Sequence, residues 1–142
     1  MSSSTGYVYF ACEVSANIGY IDITFAASNV NSNLYLSSNP ARFSTPIGLT
    51  AKSTNCGEEG TLPTDGGTAT YFAAATAADF TNATDATLGA LNVPSTNQYI
   101  AIAKGGYYSF LNGKGKKGVI YVKDVTGTGA NSVITVDVKV QR

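Results

Sequence analysis

Hydrophobic and polar positions alternate most regularly in the last quarter of the chain. From Gly118 to Val125, Ile120 and Val122 share one face and Tyr121 and Lys123 the other; from Val133 to Val140, Ile134, Val136, Val138 and Val140 oppose Thr135, Asp137 and Lys139. A period of two is the strand signature, and each strand so read carries one apolar face. The connecting Thr-Gly-Thr-Gly-Ala-Asn-Ser contains Gly127 and Gly129, which accept positive φ without steric cost. The two strands are therefore expected to form an antiparallel hairpin whose apolar side the rest of the chain must cover.

The same alternation recurs upstream. Tyr7 to Val14 sets Val8, Phe10, Cys12 and Val14 against Tyr7, Tyr9, Ala11 and Glu13. After a turn at Ala16-Asn17, Ile21, Ile23 and Phe25 oppose Tyr20, Asp22 and Thr24, which predicts a first hairpin. Leu34-Tyr-Leu36 predicts no more than a brief strand, and the prolines of Asn39-Pro40 and Thr45-Pro46 break the pattern beyond it. Lys52 to Thr68, with its Asn-Cys-Gly, Glu-Glu-Gly and Asp-Gly-Gly, reads as one long connection. Thr70-Tyr-Phe-Ala predicts a short strand. Thr76 and Thr84 each precede a helix-prone stretch as N-cap residues, so one or two short helices are expected between Thr76 and Leu91. Tyr99 to Ala103 alternates, Gly105-Gly106 turns, Tyr107 to Phe110 extends, and Asn112-Gly113 turns into the last hairpin.

These elements sum to a mainly β chain: a single-domain antiparallel β-sandwich over residues 1–142 with one or two short helices. The expected core is Val8, Phe10, Ile21, Ile23, Phe25, Ile100, Ile102, Ile120, Val122, Ile134, Val136 and Val138. At 142 residues the chain is long enough for one such core.

Composition narrows the functional classes. Only 13% of residues are charged and there is no histidine, so Ser-His-Asp triads, Cys-His pairs and most zinc sites are excluded. Glu58 and Glu59 are adjacent in a Gly-rich loop, where neighbouring side chains usually point apart, which does not suit glycosidase geometry, and with Asp65 they lack the spacing of a calcium loop. Gly113-Lys-Gly-Lys-Lys-Gly118 has the wrong order for a phosphate-binding loop and leads into a strand. No cofactor, metal, catalytic residue or nucleic-acid partner is therefore expected. Two basic residues face seven acidic ones up to Asn97, and seven basic face two acidic thereafter; such opposed halves attract within a molecule or between molecules. Candidate interaction residues are Tyr7, Tyr9, Tyr20, Tyr107, Tyr108 and Tyr121, read as outward rings, and Lys114, Lys116 and Lys117 of the basic turn. Cys12 and Cys56 are expected to bridge after oxidative export, closing a loop worth about 3 to 4 kcal/mol, with two buried thiols as the alternative. No stretch is apolar enough to span a membrane, and Met-Ser-Ser-Ser-Thr is not a signal peptide. Either an export signal has been removed before Met1 or the protein is made without one.

Ser109-Phe110, Gly113-Lys-Gly-Lys-Lys-Gly-Val-Ile-Tyr-Val-Lys-Asp-Val125 and Ile134-Thr-Val-Asp-Val-Lys-Val-Gln141 together resemble the C-terminal half of small secreted or lipid-anchored domains of Bacteroidota surface proteins. Tyr20 to Phe25, Leu36 to Pro40 and Thr76 to Phe80 are similar to earlier parts of the same domains, although Cys12 and Cys56 are not part of the pattern. The resemblance implies export to the periplasm or cell surface and carries no catalytic motif. The functional expectation is a non-catalytic exported or cell-surface structural or adhesive protein that assembles with itself into an oligomer or filament. A monomeric module binding a surface glycan, and a phage virion surface protein made without an export signal, are the alternatives.

Overall fold

The computed structural model describes residues 1–9, 13–28, 30–43, 47–48, 52–53, 60–61 and 67–142. In chain order the elements are α1 (Val14–Asn17), a 3-10 turn (Ile18–Tyr20), β1 (Ile23–Ala27), β2 (Leu34–Ser38), a second 3-10 turn (Pro40–Phe43), β3 (Lys52–Ser53) and β4 (Gly60–Thr61). Then come β5 (Tyr71–Ala75), α2 (Ala77–Thr81), α3 (Asp85–Gly89), β6 (Tyr99–Ile102), β7 (Tyr107–Leu111), β8 (Lys117–Thr126), a third 3-10 turn (Gly129–Asn131) and β9 (Val133–Val140). Two antiparallel sheets organise them, with strand orders β1-β2-β6 and β5-β7-β8-β9, while among the described residues β3 and β4 pair with each other alone.

The final hairpin forms as its pattern requires. Ile120 faces Val138, Val122 faces Val136, and Gly127 and Gly129 both take positive φ in the connection. Lys123 is an extra residue in β8, where the register shifts between Val122 and Asp124. The apolar face is covered by the other sheet: Ile23, Leu36 and Ile102 join Phe72, Phe110, Ile120 and Val122 in one buried cluster, and Phe25, Ile100, Ile134, Val136 and Val138 pack against it. The fold is thus a β-sandwich with two short helices between β5 and β6. Each helix starts with a reciprocal cap. The Thr76 hydroxyl accepts from the Asp79 amide while Asp79 accepts from the Thr76 amide, and Thr84 and Thr87 repeat the arrangement.

Four expectations are corrected. Tyr7 to Val14 is not a strand: residues 6–9 lie outside the sheets, Val14 begins α1, and Val8 is 66% exposed instead of core. The reason lies at β1, whose outer edge at Ile23 exchanges backbone bonds with Met1 and whose other edge pairs with β2. Phe10 and Cys12 lie outside the described residues. Leu34-Tyr-Leu36 belongs to a five-residue strand central in its sheet, because Tyr35 has its own buried cluster with Ala26 and Ile47 on the sheet's second face. Asp22 is not outward but 1% exposed, held by the Ser3 amide and hydroxyl at 2.8 and 2.7 Å. Lastly, Tyr107 and Tyr108 cannot both point outward from one strand; Tyr108 turns inward against the core.

Candidate functional site

The outer face of the four-stranded sheet brings together two of the candidate tyrosines. Tyr107 and Tyr121 are cross-strand partners in β7 and β8, and their rings stack at 4.6 Å and 12°. Phe80 of α2 packs on both at 5.9 Å. Lys139, on the same face of β9, sets its ammonium 4.6 Å from the Phe80 ring centroid and donates to the Phe80 carbonyl at 2.8 Å. Tyr107 and Tyr121 are consequently half-buried and serve to seat α2. Lys117 does the same for α3, donating to the carbonyls of Gly89 and Leu91 at 2.9 and 2.6 Å. Both lysines add a donor to carbonyls at or just past the helix ends and place positive charge where those ends are negative. Phe80 and Lys139 were not among the candidates, although the alternation that puts Tyr121 outward puts Lys139 outward too.

The remaining candidates separate. Tyr7 is 55% exposed and meets Tyr9 at 4.8 Å between ring centroids; Tyr20, in the first 3-10 turn, is 60% exposed. Tyr108 accepts a hydrogen bond from the Ala103 amide at 2.9 Å. Lys114 is exposed at the tip of the basic turn, while Lys116 donates to the Arg142 carbonyl at 2.6 Å. The turn is shaped by Asn112, whose side-chain oxygen accepts from the amides of Lys114 and Lys116. Cys12 and Cys56 lie outside the described residues, as do Glu58, Glu59 and Asp65.

A buried polar network ties the first residues to the body. Asn112 donates to the Ser3 hydroxyl, which donates to Asp22; the Met1 amine donates to the Ile23 carbonyl at 2.7 Å. Burial pushes that amine down to about 6, against the raising effect of the Asp22 carboxylate. Elsewhere Lys104 and Asp124 form an ion pair at 2.7 Å beside the extra residue of β8, which raises the lysine and lowers the carboxylate. Lys123 and Asp137 pair at 3.3 Å. Both ion pairs join residues after Gln98, so the opposed charge halves do not meet through them. Lys117, Lys139, Gln141 and Arg142 of the second half instead bond uncharged and charged groups of residues 80–91.

One open groove, of about 680 Å³, runs beside Val138–Arg142 and is walled by Ala83, Thr84, Asp85, Leu88 and Ser4. Among the described residues no three His, Cys, Asp or Glu side chains gather as metal ligands, and no helix is long and apolar enough to cross a membrane. Compared with known proteins, the chain matches no family model, no curated protein and no solved structure.

Proposed function

We propose that this chain is a non-catalytic structural subunit that assembles with copies of itself at a cell surface or outside the cell. The observation that carries the reading is a packed sandwich with large apolar and aromatic side chains left in solvent: Tyr7, Val8, Tyr20, Val30, Tyr99 and Val133 are all exposed. Tyr7 and Val8 are neighbours on a segment that the Met1 and Ser3 bonds anchor to the body, so they stand as fixed projections. Exposed rings on an ordered support suit protein contacts, where Tyr is enriched. Low overall charge removes much of the repulsion that keeps copies apart. Export to the surface is the part of this reading that rests on the resemblance to Bacteroidota surface domains.

The test is light scattering together with negative-stain microscopy of the native protein over a concentration series. Discrete oligomers or filaments are expected, and a monomer at every concentration overturns the reading. A second reading, a monomeric glycan-binding module, is favoured by the Tyr7 and Tyr9 rings, which adjoin at the surface and offer faces for a sugar. It predicts a monomer whose melting temperature rises with one member of a glycan panel.

A further inference from the structure

We propose that the outer edge of β9 is the seam of assembly, taking β9 of a second copy in antiparallel register about a twofold axis at Val138. This rests on the reading of the chain as a self-assembling subunit and names the surface it uses. The two sheets have four edge strands, β1, β6, β5 and β9. Three are short or engaged. Ile23 of β1 exchanges bonds with Met1, the Phe72 amide of β5 donates to the Asn97 carbonyl, and β6 has four residues. β9 has eight residues, Val-Ile-Thr-Val-Asp-Val-Lys-Val, with neither proline nor glycine. Among the described residues, no backbone group bonds to its outer side. A long, regular, unpaired edge is a template for another strand.

The phase of the ladder says which groups it offers. The Gln141 amide donates to the Lys117 carbonyl, so the backbone groups of Lys139 and Asp137 also turn toward β8. Alternation then turns those of Val136, Val138 and Val140 to the free side. Beyond Val140 this side is bordered by Ser4 and residues 83–88, with Asp85 accepting from the Arg142 amide, so a second strand would pair along Val136 to Val140.

The side chains choose the occupant. In an antiparallel pairing of two β9 strands centred on Val138, Val136 faces Val140 of the second copy, and Asp137 faces Lys139 of the second copy. Symmetry makes each pairing twice. All outward amides and carbonyls of the three valines find partners. The two charge pairs fall at the sites without direct backbone bonds, where facing side chains lie closest. Centring on Asp137 or on Lys139 instead sets like charges face to face, and centring on Val136 leaves both charges unmatched. The register is therefore selected by charge as well as by backbone phase, and the valines continue the apolar inner face from one copy to the next.

Sedimentation velocity of the wild type and three variants tests this, with thermal melting to confirm that each is folded. Asp137→Lys faces each introduced lysine with Lys139 and should weaken association about tenfold. Adding Lys139→Asp to it restores opposite charges across the seam and should restore association, although it removes the bond to the Phe80 carbonyl. Val138→Pro removes one outward amide without touching the ladder to β8, and should give a folded monomer. If the proline variant does not fold, the charge series decides alone. Assembly that persists unchanged in Asp137→Lys overturns the seam while leaving the subunit reading in place. A wild type that stays monomeric throughout overturns both.

Discussion

Asn112 illustrates how single side chains hold this molecule together. Its amide nitrogen serves Ser3 and its oxygen serves two backbone amides of the basic turn, while the residue is only 3% exposed. Asn112→Ala removes the buried bond to Ser3 and both bonds that shape the turn, and should cost about 1 to 3 kcal/mol in urea-induced unfolding. Gly118 is constrained from the opposite direction. It faces Phe110 in β7, and a Cβ there would lie 2.5 Å from the Phe110 ring. Gly118→Ala should therefore destabilise by about 1 to 3 kcal/mol through overpacking, measured in the same way. Of these two residues, Asn112 was legible as a turn former from Asn-Gly. Its bond to Ser3 spans 109 positions and has no local signature.

At the scale of elements, α2 and α3 have five residues each and depend on their ends. Such helices are too short to persist on propensity alone. Asp79 carries a proton-dependent part of α2: hydrogen bonds from the Thr76 hydroxyl and then its amide hold the carboxyl below its usual value. A carboxyl lowered in the folded state contributes stability above its unfolded pKa, and that contribution is lost as pH falls through the lower folded value. The cap of α2 should thus open in the acid range below the ordinary carboxylate titration. Asp79→Asn should remove that pH dependence, as followed by the Thr76 and Asp79 amide signals in an NMR titration. At the other ends, Lys117 and Lys139 close the carbonyls. The threonine caps were readable from sequence because a cap acts over three residues. The lysine contacts were not, because they join β8 and β9 to helices that lie 26 to 59 residues away.

Across the whole molecule, one apolar layer joins both sheets, so a charge placed in it is buried between them. Val136 packs against that layer and faces Val122, which is fully buried. Val136→Asp sets an unpaired carboxylate beside Val122 against that cluster, and should abolish the cooperative unfolding transition in thermal melts. Conversely, Tyr7→Ser together with Val8→Ser touches exposed side chains and should leave the melting temperature within about 2 °C. If the rings and Val8 take part in assembly, the same double variant lowers association in light scattering.

What the sequence determined by itself was whatever repeats within a few residues. The period of two marked β1, β6 and the final hairpin, glycines marked the turns, and threonines marked both helix starts. Tertiary structure decided how those strands pair at their edges and which polar groups go inside. Tyr7 to Val14 alternates as well as any true strand, yet β2 pairs with β1 on one side and Met1 bonds its other edge at Ile23. Asp22 occupies an outward position by periodicity but is buried, because Ser3 supplies two hydrogen bonds that offset its desolvation. Periodicity fixes which way a side chain points along its own strand. Which segment arrives to cover it is settled by contacts between residues far apart in the chain, which no local pattern contains.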